Sequence, residues 1–374
     1  MYRLEHSVRN YAWGSRTAFA RLFGTAEPTE PEAEYWFGTH PASPSTLSDG
    51  RSLAELVELP YLLKVLAAEK PLSIQAHPGL AEAQAGYDKE NAAGIALDAP
   101  ERNYKDPNHK PELLLALTDF SALCGFRSFS EAKRSWNRLS ELVSSFLSGE
   151  HATKAISTLS AVGTALAARD YASAVKTILG CRKAAGALVD ALVAAAELNP
   201  DYISHDLALE TALRIAEDFP ADPGVLMALL LQKVDMVPGQ AIYLSAGVMH
   251  AYLHGVGVEV MACSDNVLRG GLTNKHIDVE ELLAISCFDP SPDLMLGPEE
   301  VHDQVATFRP DADEFTLQVF HSGTDEPLNE PGPHIVLAVV GSFKVVHQDQ
   351  SLILHPGQAV FIPAADTMPA LTYL

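Results

Sequence analysis

The sequence predicts a mainly β protein with a helical insertion, and two observations carry that expectation. Short β-branched and aromatic runs, separated by Gly, Pro, Asp and Asn, fill both ends of the chain, whereas the middle is rich in Ala, Leu, Glu and Lys at helical spacing. A turn-and-strand string also occurs twice. Pro238-Gly239-Gln240-Ala241-Ile242-Tyr243-Leu244-Ser245-Ala246 matches Pro356-Gly357-Gln358-Ala359-Val360-Phe361-Ile362-Pro363-Ala364 with mostly conservative differences. Pro-Gly suits a tight turn, because Gly reaches φ > 0 without strain, and the apolar run suits a strand lining a barrel interior. Two copies predict two related β-barrels of the jelly-roll or cupin type. Coincidence between two ordinary turn–strand units is the competing explanation.

Taken in order, residues 1–125 are Pro-rich and irregular, with short apolar runs at 61–67 and 113–117 that read as strands. From about 128 to 235, Gly and Pro are sparse until Pro200, and runs such as 172–179 and 184–198 predict several helices. Asp170 is the expected cap of a helix over Tyr171–Gly180, and Ser204 or Asp206 that of one over Leu207–Asp218. Residues from about 236 to 374 again read as strands. The expected division is a barrel formed by 1–127 together with 236–300, an all-α domain at 128–235, and a second barrel at 301–374. His250 and Met368 stand at the same offset from the two Pro-Gly turns, so a metal held through His250 would have no counterpart in the second barrel.

Composition narrows the function. Of 374 residues 47% are hydrophobic, enough to bury large cores, and no apolar run is long enough for a transmembrane helix. The first residues lack the apolar stretch of a secretory signal, which makes the cytoplasm the expected compartment. Cys124, Cys181, Cys263 and Cys287 are far apart and form no CxxC pair, which argues against a disulfide scaffold and a thiolate zinc site. The net charge of −22 repels nucleic acid and anionic membranes, so neither is expected as a partner, and no protein partner is implied. An anionic substrate would need a local cluster of Lys and Arg. No GxGxxG follows a strand, and neither GxxxxGK[ST] nor GxSxG is present.

Four stretches could carry chemistry. In Pro71-Leu72-Ser73-Ile74-Gln75-Ala76-His77-Pro78, Gln75 and His77 stand two apart, on one face of a strand. They suit either a metal or a solvated strand end. Glu112 opens the apolar run at 113–117, where a metal could pair its carboxylate, and His109 and Lys110 lie just before it. His250 follows the first Pro-Gly strand, two residues before Tyr252. Gln75, His77, Glu112 and His250 make an amide, a carboxylate and two imidazoles, a set that suits one Zn²⁺ in an open catalytic site. The fourth stretch runs from Gly257 to Lys275. There Glu259 sits among apolar neighbours, while Arg269, followed by two glycines, and Lys275 suit an anion or a solvated turn. Aromatic clusters around Trp13 and Trp36 suit either a sugar-pocket wall or the core.

Five strings together resemble one family. Tyr11-Ala12-Trp13-Gly14, Ile74-Gln75-Ala76-His77-Pro78, Asn108-His109-Lys110-Pro111-Glu112, Gly247-Val248-Met249-His250-Ala251-Tyr252 and Ser264-Asp265-Asn266-Val267-Leu268-Arg269-Gly270-Gly271-Leu272-Thr273 are similar, in order, to type I mannose-6-phosphate isomerases (phosphomannose isomerases) of the cupin superfamily. The resemblance implies a zinc-dependent aldose–ketose isomerase acting on a small sugar phosphate, with two cupin-like barrels and a helical insertion. It carries the zinc ligands onto Gln75, His77, Glu112 and His250, the active-site arginine onto Arg269, and basic pocket positions onto Lys64 and Lys110. The weakest match is the C-terminal barrel.

The implied reaction moves a proton between C2 and C1 through a cis-enediol, with zinc and Arg269 stabilising charge on O1 and O2. Candidates for the base are Glu259, Asp265, His109 and Lys110. Substrate contacts are expected from Trp13, Ser73, Lys64, Lys275 and Tyr252, with the phosphate on Lys275 or Arg269. Two other classes compete: a metal-binding sugar-phosphate sensor without turnover, and an Fe²⁺ cupin dioxygenase, which the amide of Gln75 fits less well.

Overall fold

The computed structural model describes residues 1–290, 294–302, 305–321, 326–328, 330–364 and 369–374. The N-terminal part contains strands β1 (Tyr2–Glu5), β2 (Ser7–Arg9), β3 (Glu34–Gly38), β4 (Thr46–Leu47), β5 (Tyr61–Ala68), β6 (Ile74–Ala76), β7 (Glu112–Ala116) and β8 (Phe120–Phe126). After the helices come β9 (Leu231–Met236), β10 (Ala241–Leu244), β11 (His250–Ala262), β12 (Leu268–Gly271) and β13 (Met295–Leu296).

β11, 13 residues long, joins two antiparallel sheets. Residues 250–254 pair with β6 and β8, and residues 255–262 lie between β5 and β7. One sheet therefore runs β13-β10-β7-β11-β5-β3-β2, and the other β9-β8-β11-β6-β12. Among the described residues the pairing closes no ring. β5 is buried from Leu62 to Ala68, which explains a continuous apolar run rather than an alternating one. Along the first half of β11 the period of two sorts the side chains. Ala251 and Leu253 face a core shared with the helices, whereas Tyr252 packs with Ala122 and Cys124 of β8 between the sheets.

The helices are α1 (Ala18–Phe23), α2 (Leu80–Ala92), α3 (Phe129–Val143), α4 (Ala152–Ala167), α5 (Tyr171–Gly180), α6 (Arg182–Leu198), α7 (Pro200–Ser204), α8 (Leu207–Asp218), α9 (Gly224–Met227) and α10 (Val279–Ile285). Those from α3 to α9 occupy the stretch expected to be helical. Asp170 caps α5 by accepting from the Ser173 N–H at 2.9 Å, and Asp206, not Ser204, caps α8 by accepting from the Ala208 N–H at 3.1 Å. Fully buried Trp136 of α3 donates its indole N–H to the Leu159 carbonyl of α4 at 3.0 Å. Among the described residues, no helix is long and apolar enough to cross a membrane.

Two elements depart from the sequence reading. The end of the expected helical stretch is strand β9, because β8 offers it an antiparallel edge from Phe120 to Phe126. α2 falls where irregular chain was expected. It has no apolar stripe and is held instead by its buried face: Glu90 accepts the Asn103 and Tyr104 N–H groups and pairs with Arg102 at 3.0 Å.

The C-terminal part comprises β14 (Glu300–His302), β15 (Val305–Phe308), β16 (Leu317–Phe320), β17 (Glu326–Pro327), β18 (His334–Leu337), β19 (Phe343–His347), β20 (Gln350–Leu354), β21 (Ala359–Ile362) and β22 (Ala370–Tyr373). β21 lies between β18 and β1, with Tyr2 opposite Phe361. The chain's first strand thus completes a C-terminal sheet, a long-range pairing that the division at residue 301 does not include. The two Pro-Gly turns fold alike. Gly239 and Gly357 have φ of 90° and 83°. Gln240 and Gln358 each accept, through Oε1, the N–H three residues earlier at 3.0 Å. Met368 lies outside the described residues.

One contact is tight enough to test the docking of α2. A Cβ on Gly86 would stand 2.3 Å from the ring of Tyr104, whose hydroxyl is held by Glu281 at 2.7 Å. Gly86→Ala should cost about 1–3 kcal/mol through overpacking. Urea unfolding of the two proteins measures it, and a variant as stable as the parent would contradict this account.

Candidate active site

The register of the second sheet places four residues in one row. Arg269 of β12 stands opposite Gln75 of β6, Gln75 opposite His250 of β11, and His250 opposite Cys124 of β8. Residues directly opposite across antiparallel strands share a face, so Gln75 lies between His250 and Arg269. His77 follows β6 directly, and Glu112 begins β7 in the facing sheet.

His77, Glu112 and His250 are all buried, and one ligand atom from each lies within 4.8 Å of the other two. Nε2 of His77 is 3.4 Å from Glu112 Oε1, and Nε2 of His250 is 3.3 Å from Glu112 Oε2. Among the described residues, both Nε2 atoms and Glu112 Oε2 are buried without a hydrogen-bond partner. The other ring nitrogens are occupied: Nδ1 of His77 contacts the Asn266 carbonyl at 2.7 Å and Nδ1 of His250 the Val248 carbonyl at 2.9 Å. A carbonyl only accepts, so Nδ1 carries the proton and each Nε2 presents a lone pair. Burial pushes His77 down to about 4, which keeps its imidazole neutral. Burial alone would raise the Glu112 carboxyl; the positive charge of its neighbours, Lys110 among them, outweighs it and holds the group well below the usual range. Two imidazoles and a carboxylate around one buried point fit a divalent metal of zinc's preferences.

Lys110 lies beside this trio, its Nζ 3.2 Å from Glu112 Oε1. Behind it is a second buried cluster. Lys64 sits 3.1 Å from Glu259 and 3.5 Å from Glu34. Tyr252 donates its hydroxyl to the other Glu259 oxygen at 2.7 Å, and Trp36 donates to Glu34 at 2.9 Å. Burial would lower Lys64, but Glu34 and Glu259 reverse this and raise it, so it stays charged. Burial raises Glu259, with Lys64 opposing. The structure therefore brings Lys64, Glu259 and Tyr252 into one network, with each Glu259 oxygen engaged.

The cations at the other end of the row differ. Arg269 is half-buried, its side chain makes no hydrogen bond or ion pair among the described residues, and burial lowers it. Burial also lowers Lys275, helped by the positive charges of Arg269 and Lys105. Lys275 thus adjoins two further cations, and among the described residues none of the three is paired with a carboxylate, an arrangement suited to an anion.

Other expected residues stand apart from the trio. Asp265 is half-exposed, 3.5 Å from His40 Nε2. His109 pairs with Glu314, far along the chain. Half-buried Ser73 immediately precedes β6. Trp13 stacks on Tyr11 at 5.7 Å and packs against the cluster containing Tyr252.

Sequence reasoning did not assign roles to Glu34, Lys105 or Asn266. Glu34 is a carboxylate in the buried run Glu34–Gly38, the same signal that drew notice to Glu259. Asn266 is fully buried and clamps the preceding loop. Its Oδ1 accepts the Lys105 N–H at 2.7 Å, and its Nδ2 donates to the carbonyls of Asp106 and Asn108 at 2.7 and 2.9 Å.

Comparison with known proteins agrees with this geometry. Residues 1–129 match the family model of the phosphomannose isomerase type I catalytic domain. The chain is 38% identical to mannose-6-phosphate isomerase of Salmonella typhimurium, over 98% of this chain and 96% of that one. The Escherichia coli enzyme is 37% identical over the same shares, and that of Rattus norvegicus 32% identical over 98% and 94%. A crystal structure of mannose 6-phosphate isomerase with zinc and yttrium superposes with a TM-score of 0.87 at 36% identity, covering 100% of this chain and 97% of that one. The Salmonella typhimurium enzyme bound to its substrate fructose 6-phosphate and zinc superposes equally well, at 0.87, 36% identity and the same coverage. A relative this similar along almost its whole length shows the family: the chain belongs to the type I phosphomannose isomerases.

Proposed function

We propose that this chain is a zinc-dependent isomerase interconverting D-mannose 6-phosphate and D-fructose 6-phosphate. The observation that carries the reading is the trio of buried, unpartnered ligand atoms on His77, Glu112 and His250, beside a cation cluster in a chain of net charge −22. Gln75, in register with His250, would be the fourth ligand. Zinc held there supplies a Lewis acid for the oxygens on C1 and C2 of the sugar. In the wider architecture we read the two sheets joined by β11 as a cupin-type core, α3 to α9 as an all-α domain, and the strands from β14 onward as a second cupin-like unit. We place the enzyme in the cytoplasm.

The residues divide the work by their partners. Arg269, free of carboxylates among the described residues, faces the enediolate charge that develops as a proton passes between C2 and C1 through a cis-enediol. Lys275 and Lys105 hold the phosphate, since Lys64 is already neutralised by Glu34 and Glu259. Lys110 and Glu259, the base candidates nearest the trio, are the groups to move the proton, with His109 and Asp265 at the rim. Trp13 and Ser73 line the sugar's approach, and Tyr252 steadies Glu259.

Four measurements test this. The purified protein should convert mannose 6-phosphate, lose activity to a chelator and regain it with zinc. Elemental analysis should give one zinc per chain, and His250→Ala or Glu112→Ala should lose both metal and turnover; full zinc with normal turnover in either variant would refute the ligand assignment. Arg269→Lys keeps the charge but loses the planar fork, so kcat should fall by about 10²–10³ at normal zinc content and little-changed KM. Arg269→Ala with normal zinc and near-normal kcat and KM would reduce Arg269 to a surface residue. Lys275→Ala should raise KM by about 10–100-fold with kcat largely retained, the loss of a charged hydrogen bond. An unchanged KM would move the phosphate elsewhere.

A further inference from the structure

His109 lies three residues before Glu112, yet its imidazole is held from the other end of the chain. Its Nε2 is 2.5 Å from Oε1 of Glu314, and both side chains are largely shielded from solvent. The loop bearing Glu314 is pinned on either side. Tyr243 of β10 donates its hydroxyl to the Asp311 carbonyl at 2.7 Å. Phe315 is buried in the cluster that includes Leu113 and Leu115 of β7, the strand that Glu112 begins. The second oxygen of Glu314, Oε2, is buried with no hydrogen-bond partner among the described residues, so the carboxylate depends on His109.

We propose that Glu314 is a positioning residue for His109, through which the C-terminal part of the chain supplies the acid–base group at the rim of the site. A carboxylate oxygen accepts, so the contact keeps the proton of neutral His109 on Nε2 and leaves the lone pair on Nδ1. A carboxylate behind an imidazole selects the tautomer and holds the ring against rotation, which is the role such partners play for acid–base and metal-bound histidines elsewhere. The C-terminal strands then do more than cap the molecule: removing their loop would leave His109 free to take either tautomer. This inference rests on the isomerase reading above, because His109 has work to do only if a proton moves nearby.

Two readouts test it. In ¹⁵N spectra of the zinc-loaded protein, with the His109 signals identified by their loss in His109→Gln, wild type should show the Nε2–H form, and Glu314→Ala a mixture of both tautomers. In the isomerase assay, Glu314→Ala should lower kcat by about 10-fold with KM, zinc content and melting temperature little changed. Glu314→Gln, which still accepts from Nε2, should recover most of that loss. The double variant His109→Ala with Glu314→Ala should be no slower than His109→Ala alone, because the second residue acts only through the first. Losses that multiply, or an Nε2–H tautomer that persists in Glu314→Ala, would overturn the proposal. An active wild type with a slow His109→Ala and a fully active Glu314→Ala would overturn it while sparing the isomerase reading. A zinc-loaded wild type without isomerase activity would overturn that reading and, with it, the role given to His109.

Discussion

Three lone pairs directed at one buried point set the terms for the surrounding structure. Leaving a buried polar atom without a partner costs on the order of 1–3 kcal/mol, and here Nε2 of His77, Oε2 of Glu112 and Nε2 of His250 all lack one. A loose scaffold would relax by turning the rings over or letting the strands part. This one does not, because each imidazole is pinned through Nδ1 to a backbone carbonyl, and the three residues come from β7, β11 and the end of β6, all tied to β11 by pairing. The helices add weight from outside. Their apolar faces share a core with Ile74, Ala76, Ala251 and Leu268, the alternate residues of the strands that carry the site.

Charge is arranged to the same end. Deep in the molecule, each cation has a carboxylate: Lys64 has Glu34 and Glu259, Lys110 has Glu112, and Arg102 has Glu90. Paired charges of this kind hold geometry and attract little from outside. Arg269, Lys275 and Lys105 are left without such partners among the described residues, so the local field has the opposite sign to the net charge of −22. An anion is repelled by the net charge of the molecule and attracted by this cluster, which favours one orientation before any contact forms.

Much of this was legible in the sequence, and the exceptions share a cause. The spacing of Gln75 and His77, the carboxylate opening an apolar strand at Glu112, and the His250 that follows a Pro-Gly strand are local signals. Local signals also marked the caps at Asp170 and Asp206. Convergence is not local: nothing along the chain says that the end of β6 and the starts of β7 and β11 meet, and that is decided by which strands flank β11. The same limit hid β9, whose strand form depends on an edge offered by β8, and α2, which lacks an apolar stripe and docks through Gly86 and Glu90. It also hid Glu314, whose link to His109 spans the chain. Asn266 was visible within a motif, but its clamp on the loop from Lys105 to Asn108 is purely spatial.

The pairing of β1 with β21 constrains the order of assembly. Tyr2 and Phe361 meet across almost the whole chain, so although β4 offers β1 one edge from nearby in sequence, the other edge of β1 stays open until β21 is in place. Until then Tyr2 and Leu4 lack the cover that Phe361 gives them in the finished molecule. The β1–β21 seam acts as a latch between the two ends of the chain, and the Met1 amino group, which donates to Gln350 at 2.6 Å, lies on the same seam.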